Sequence, residues 1–190
     1  MAKLCCWNDK LHLKKVGDNM LYFISDTHFN HLNIIKYCDR PFKNIEEMNE
    51  TIINNWNKTV KENDEIYHLG DLALGRKENF YNIAKRLNGK KYLIRGNHDR
   101  WSINTYEKFE FKILKNAPII LEKFKLLLSH TPTPDKQIPE GYINLHGHIH
   151  NKSLYDCIEK YNPSMYTIKR HINVSCDVTD FTPISIEKLL

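Results

Sequence analysis

The sequence predicts an α/β fold with two sheets. Strand-like and helix-like segments alternate through the first hundred residues, and short blocks of Asp, His and Asn stand where the apolar runs end. From Ile119 onward the pattern changes to closely spaced strands with little helical periodicity between them, which adds the second sheet.

Leu21-Tyr-Phe-Ile-Ser25 is an apolar run of strand length that stops at polar Asp26 and His28. Asn44, with Glu47 three residues on, is a helix start signal, and Ile45, Met48, Ile52, Trp56 and Val60 follow at helical spacing. Glu65-Ile-Tyr-His-Leu69 reads as the second strand, closed by Gly70-Asp71. A helix from Glu78 to Leu87 ends at Asn88-Gly89, where glycine suits the left-handed terminal position. Lys91-Tyr-Leu-Ile-Arg95 is the third strand, closed by Gly96-Asn97-His98-Asp99. Strand, helix, strand, helix, strand implies a largely parallel sheet with crossover helices. In the second half the expected strands are Ile119-Ile-Leu121, Lys125-Leu-Leu-Leu-Ser129, Tyr142-Ile-Asn-Leu-His146 and Ile172-Asn-Val-Ser-Cys176. Thr131-Pro-Thr-Pro134 and Pro139-Glu-Gly141 mark a rigid loop after His130. Residues 1–19 form an extension in which Lys3-Leu-Cys-Cys-Trp7 and Lys10-Leu-His-Leu13 flank Asn8-Asp9, the pattern of a hairpin added to a sheet edge.

With 190 residues and 41% hydrophobic content, the chain can bury one core and is short for two, so residues 20–190 are expected to be a single domain. A net charge of +5 favours an anionic substrate without demanding nucleic acid. Five cysteines, an odd number with no Cys-x-x-Cys spacing, indicate neither a disulfide framework nor a thiolate zinc site. No signal-like or membrane-spanning run is present, and a cytoplasmic soluble protein is expected.

Five polar blocks carry the chemistry: Asp26-Thr-His28, Gly70-Asp71, Gly96-Asn97-His98-Asp99, Ser129-His130 and Gly147-His148-Ile-His150. Carboxylate and amide oxygens mixed with imidazoles are what a pair of divalent cations needs. Two such ions about 4 Å apart can hold the attacking and leaving oxygens of an in-line phosphoryl displacement and lower the pKa of a bound water. Asp26, His28, Asp71, Asn97, His130, His148 and His150 meet that need as a group. His98, beside Asn97, is placed to give a proton to the leaving group. Taken alone, Gly70-Asp71 reads as a turn. His68 and His146 fall inside strands and suit supporting roles, His12 and His171 are ordinary, and Trp56 and Phe80 are core residues on helices.

In this order the five blocks resemble the signature of the calcineurin-like metallophosphoesterases: Asp-x-His, Gly-Asp, Gly-Asn-His-Asp/Glu, His and Gly-His-x-His. That resemblance covers residues 20–180 and implies a four-layer α/β/β/α sandwich, two facing mixed sheets flanked by helices. It also implies that one metal is held by Asp26, His28, Asp71 and His150, and the other by Asp71, Asn97, His130 and His148, with Asp71 as the bridge. His98 would be the catalytic histidine, with Asp99 supporting its orientation or protonation. Many members continue Gly-Asp-x-x-Asp/Asn, whereas this chain reads Gly70-Asp71-Leu72-Ala73-Leu74, a departure that removes no metal ligand. More narrowly, Ile24-Ser-Asp-Thr-His-Phe-Asn-His31, Arg40-Pro-Phe42 and Asn144-Leu-His-Gly-His-Ile-His-Asn151 are similar to a compact bacterial and phage branch that lacks a large cap domain.

The expected function is a dinuclear metal-dependent phosphohydrolase, a phosphodiesterase ahead of a monoesterase because an open site fits two ester substituents. Metal-activated hydroxide would attack phosphorus in line while His98 assists leaving-group departure. Manganese is the first choice of ion, with iron, zinc, nickel and magnesium as alternatives. His31 and Arg40 are candidates for holding the substrate phosphate. The substrate class extends to nucleotides and nucleic-acid ends. The competing readings are a DNA or RNA nuclease of the same superfamily and a catalytically silent metal-binding scaffold.

Overall fold

The computed structural model describes residues 19–158 and 165–190. Strands β1 (Leu21–Ile24), β2 (Glu65–His68), β3 (Lys90–Leu93) and β4 (Phe111–Ile113) run parallel in the spatial order β4-β3-β2-β1. A second sheet is formed by β5 (Ile119–Leu121), β6 (Leu126–Leu128), β7 (Ile143–His146) and β8 (His171–Asn173), with only the β5 and β6 pair antiparallel. The last strand, β9 (Ile184–Ser185), returns to the first sheet and pairs antiparallel with β1. Helices are α1 (Leu32–Tyr37), α2 (Ile45–Thr59), α3 (Lys77–Ala84), α4 (Ile103–Lys108), α5 (Leu154–Ile158) and α6 (Ile186–Leu189).

Side-chain alternation along the strands builds the layers. Tyr22, Ile24, Ile66, Leu93 and Phe111 face the helices, where they join Met48, Ile52 and Trp56 of α2 and Phe80 and Ile83 of α3. Phe23, Leu69 and Ile94 point the other way and meet Leu126, Leu128, Leu145 and Val174 of the facing sheet. α2 starts as its sequence directs: the Asn44 side chain accepts from the Glu47 N–H at 2.8 Å, and the Glu47 carboxylate accepts from the Lys43 N–H at 2.8 Å. The outer face of the second sheet carries Ile120, Leu127, Asn144 and His171 in one cross-strand row, and 3-10 turns lie near it. Arg170 in one of them donates to the carbonyls of Asp135, Ile138 and Pro139 at 3.1, 2.9 and 2.7 Å. The expected sandwich of two mixed sheets flanked by helices is present.

Several short elements were not foreseen: α1, α4, β4, β9 and α6 span between two and six residues. Runs that short carry no readable periodicity. α3 stops at Ala84 rather than Leu87, and β8 ends at Asn173: the Val174 N–H still donates to the His146 carbonyl at 2.8 Å, but the Val174 carbonyl and the Cys176 N–H turn to Ser25 of the other sheet. The hairpin expected near the amino terminus falls on residues 1–18, outside the described residues. Among the described residues no helix is long and apolar enough to cross a membrane.

Strand register decides where the polar blocks go. Ile24 pairs with His68 and His68 with Leu93, so Asp26, Asp71 and Asn97 emerge side by side at one carboxyl edge. Leu128 pairs with Leu145 and His146 with Asn173, which does the same for His130, His148 and Ser175 in the second sheet. The two edges are joined directly, since the Ser25 N–H donates to the Val174 carbonyl at 2.9 Å and the Cys176 N–H to the Ser25 carbonyl at 2.8 Å.

Candidate metal centre

Where β1 and β8 are stitched together, all seven predicted ligands converge. Asp26, His28 and His150 offer donor atoms within 4.8 Å of one another, and so do Asp71, His130 and His148. Asn97 joins the second group, its Oδ1 lying 2.9 Å from His130 Nε2. Asp71 stands between the two groups: its Oδ2 is 3.5 Å from His28 Nε2 and 3.5 Å from His130 Nε2.

The backbone holds these residues in an unusual way. Asp26, His28, Asp71, His148 and His150 all have positive φ, at 56°, 49°, 56°, 71° and 52°. Non-glycine residues in this region cost of order 1–3 kcal/mol each and persist where the surroundings over-determine them. The glycines next to them supply the room. A Cβ on Gly96 would collide with the Asp71 carboxylate and come within 2.8 Å of the His130 ring, and one on Gly147 would collide with Ser25 and the Asp26 carboxylate.

The donor atoms fit divalent cations. Asp26 Oδ1 and His28 Nε2 are buried and have no hydrogen-bond partner among the described residues, a costly state for polar atoms unless an ion completes them. His130 Nδ1–H donates to the Leu69 carbonyl at 2.9 Å, which turns Nε2 toward Asp71, Asn97 and the His148 Nδ1 at 3.2 Å. Burial lowers the His130 pKa, but its bond to Asp71 and the charge of Asp26 outweigh burial and raise it, the position of a nitrogen facing a site built for positive charge. Burial pushes Asp71 up, yet His130 and the His98 N–H, which donates to Asp71 Oδ1 at 2.8 Å, hold it well below the usual carboxylate range. Burial drives His28 down to about 2, so its imidazole is neutral and available as a ligand.

His98 lies on the His28 side of the cluster, the two ring centroids 5.4 Å apart, and His31 is next to both, at 5.3 Å from His28 and 6.3 Å from His98. Both rings are half-buried at the mouth of the site.

Asp99 and Arg40 sit elsewhere in the design than the sequence implied. Asp99 is buried, and its carboxylate accepts from the N–H groups of Gly96, Asp71 and Leu72 at 2.8, 2.7 and 3.1 Å and from the Tyr106 hydroxyl at 3.3 Å. None of these bonds goes to the His98 ring; Asp99 clamps the Asp71 loop onto the Gly96 loop. Arg40 is 4% exposed and all five N–H groups of its fork are engaged. They go to Asp177 Oδ1 at 2.8 Å, Asp177 Oδ2 at 3.0 Å, the Asp26 carbonyl at 2.7 Å, the Thr27 carbonyl at 3.0 Å and Met48 Sδ at 3.4 Å. A guanidinium with no donor left cannot grasp a phosphate, so the expectation for Arg40 is corrected: it braces the Asp26 segment and Asp177.

Asp177 and Ser175 are the residues the sequence reading missed. Asp177 Oδ2 is 2.9 Å from His150 Nδ1, which leaves Nε2 as the nitrogen free to ligate. Burial lowers the His150 pKa, but the hydrogen bonds of Asp177 and Cys38 overcome it and push it up to about 10. The Ser175 hydroxyl donates to Asp26 Oδ2 at 2.9 Å, as does the His148 N–H at 2.9 Å. Asn173-Val-Ser-Cys-Asp177 is a sixth polar block closing an apolar run, the signal that marked the other five.

Comparison with known proteins gives the family and the fold. Residues 20–175 match the family model described as calcineurin-like phosphoesterase. An uncharacterized protein of Methanocaldococcus jannaschii is 40% identical over 173 residues, covering 90% of this chain and 89% of the relative. Among solved structures, a protein of unknown function from Aquifex aeolicus superposes with a TM-score of 0.66 at 34% identity, covering 90% of this chain and 100% of that one. A more distant likeness, with a TM-score of 0.46 and 21% identity over 68% of this chain and 61% of the other, is to a nuclease from Pseudomonas putida.

Proposed function

The chain belongs to the calcineurin-like phosphoesterase family, and from that premise we propose that it is a dinuclear metal-dependent phosphodiesterase. The observation that supports this best is the placing of Asp71 Oδ2 at 3.5 Å from an imidazole of each ligand group, the position of a bridging carboxylate. Asp26, His28, Asp71 and His150 would hold one ion, and Asp71, Asn97, His130 and His148 the other. Two divalent cations there supply the neutralisation of phosphate oxygens and the lowered pKa of a coordinated water. The oxygen-rich, imidazole-containing donor set suits manganese, with iron, zinc, nickel or magnesium as alternatives.

The chain's own groups do the rest. His98 and His31 flank the mouth, where a protonated imidazole would donate to the departing ester oxygen and the other ring would hold a non-bridging oxygen. Asp99 holds the Gly96 and Asp71 loops in fixed relation, and Arg40 with Asp177 fixes the Asp26 and His150 side of the site. The buried free thiols of Cys38 and Cys176 fit a reducing cytoplasm.

The test is hydrolysis of bis-p-nitrophenyl phosphate and p-nitrophenyl phosphate with added Mn²⁺. Diester turnover should exceed monoester turnover. Asp71→Asn should abolish it, and His98→Ala should retain metal while losing roughly 100- to 10,000-fold in kcat. Full activity in Asp71→Asn would rule out the bridge, and full activity in His98→Ala would remove that ring from the mechanism.

A further inference from the structure

His68 is the last residue of β2 and is completely buried. Side-chain alternation puts its ring on the same face of the strand as Ile66, where it stacks on Trp56 of α2 with ring centroids 6.5 Å apart and planes 22° from parallel. Burial keeps this ring neutral by pushing its pKa down to about 3. Both of its nitrogens are assigned by their partners. The Gly70 N–H donates to Nδ1 at 3.2 Å, so Nδ1 carries no proton. The proton is therefore on Nε2, which donates to the Thr27 hydroxyl at 2.9 Å, and that hydroxyl donates to the Leu72 carbonyl at 2.8 Å.

The main chain between Leu69 and Leu72 explains why an imidazole stands here. Asp99 accepts from the Asp71 and Leu72 N–H groups, and the Gly70, Asp71 and Leu72 carbonyls accept from the N–H groups of Asp26, His28 and Phe29. The Gly70 N–H turns inward because φ is +109° there, and its partner is His68. The same peptide plane carries the Leu69 carbonyl, which accepts from His130 Nδ1–H at 2.9 Å. One peptide thus joins two imidazoles, its N–H ending on His68 and its carbonyl on His130. The packing is close, since a Cβ on Gly70 would stand 2.5 Å from His130 Nδ1.

Resting on the dinuclear reading above, we propose that His68 is a positioning residue for His130: through the Leu69–Gly70 peptide it fixes the His130 ring with Nε2 toward the centre. Rotation of that peptide would carry the carbonyl away from Nδ1 and free His130 to present either nitrogen. The neighbouring backbone bonds do not oppose the rotation, because the N–H and the carbonyl of this peptide both end on side chains. The far end of the His68 ring reaches Thr27, between Asp26 and His28, so one rigid ring braces both proposed ligand groups. An imidazole suits the position because it accepts at one nitrogen and donates at the other while staying uncharged.

Nitrogen–proton correlation spectra of the metal-free protein read the ring protons without metal or turnover. His68 should carry its proton on Nε2, and His130 should carry one on Nδ1 that is protected from exchange with water. His68→Phe keeps a flat ring against Trp56 and removes both nitrogens, and the protection of the His130 proton should be lost. His68→Asn, whose amide oxygen falls near the place of Nδ1, should restore it. Titration calorimetry with Mn²⁺ should show affinity falling by roughly 10- to 100-fold in His68→Phe and returning to within about fivefold of the wild type in His68→Asn. A wild-type His68 proton on Nδ1, or a His130 proton that stays protected in His68→Phe, would overturn the proposal and leave the dinuclear centre standing. The wild-type spectrum makes this test even where the Phe variant does not fold. Absence of Mn²⁺ uptake by the wild type, with the His130 proton protected there and released in His68→Phe, would overturn the centre and keep His68 as the support of the His130 ring.

Discussion

Each histidine proposed to ligate needs one nitrogen facing the centre and a second satisfied elsewhere, and the partner of that second nitrogen sets the tautomer. For His130 the partner is the Leu69 carbonyl, and for His150 it is Asp177. Replacing Asp177 with Asn keeps the shape and removes the charge that holds the His150 Nδ1–H. Mn²⁺ affinity should then fall by roughly 10- to 100-fold, as read by titration calorimetry; an unchanged affinity would show that Asp177 does not position the ligand. Acid should also act through single residues. Burial depresses His28 to about 2, His68 to about 3 and His146 to about 4, so each is neutral in the fold and takes up a proton on unfolding below its ordinary value. Their contribution is complete above the unfolded pKa and is lost as pH falls toward the folded values, up to about 2 kcal/mol per histidine between pH 6.5 and 5. His150 has the opposite sign, contributing fully below its unfolded pKa and losing its contribution as pH rises toward about 10, so it opposes the slope only near the upper end of that window. The urea midpoint of the metal-free protein should therefore drop between about pH 7 and pH 5; a flat profile would contradict neutral buried histidines. Residue types alone singled out the seven side chains that the fold brings together, because imidazoles at strand ends are poor core residues. Arg40 was misread because a lone arginine near a site looks like a phosphate clamp until its partners are known, and Asp177 is 137 residues away from it in sequence.

At the scale of elements, the site is made by strand ends that turn sharply, and the turns depend on glycine in two different ways. Gly96 and Gly147 are small because neighbouring carboxylates occupy the space a side chain would fill, whereas Gly141 has open space around it and a φ of +75°. Alanine at Gly141 should cost about 1–2 kcal/mol of stability through the left-handed backbone alone and leave metal affinity unchanged. Alanine at Gly96 or Gly147 should displace Asp71 or Asp26 and weaken Mn²⁺ binding by about tenfold or more, on top of a similar stability loss from overpacking. Calorimetry and urea melts on the three variants check both halves, and equal metal affinity in all three would show that the close approaches are not needed. The major strands and α2 were readable because four or more residues of apolar run, or fifteen of helical period, outweigh local noise. α1 escaped because six residues carry too little helical period, and β4 because Phe111-Lys-Ile113 is broken by a lysine where β5 and β6 are wholly apolar. The strand ending at Cys176 was placed too far along because the Val174 carbonyl and the Cys176 N–H bond to Ser25 of the other sheet, while only the Val174 N–H still bonds β7, a choice made by tertiary contact.

Across the whole molecule the centre is also a joint. Asp26, His28, Asp71 and Asn97 come from loops of the first sheet, and His130, His148 and His150 from loops of the second. Between the sheets at this edge lie a shared apolar core and a few backbone bonds, such as those of Ser25 with Val174 and Cys176. Five left-handed residues and two orphaned buried atoms make the metal-free edge costly to hold together. An ion that binds only the native arrangement stabilises it by RT ln(1 + [L]/Kd), about 2.7 kcal/mol when the free ion is at a hundred times Kd. For a chain of this size each kcal/mol moves Tm by roughly 2–4 °C, so Mn²⁺ at that excess should raise Tm by roughly 5–11 °C over the EDTA-treated protein. Because Asp71 is proposed to share both ions, Asp71→Asn should lose most of that increment. A wild-type Tm indifferent to EDTA, measured by calorimetry after the ion content has been shown to change, would mean that the two sheets do not need the centre to stay closed.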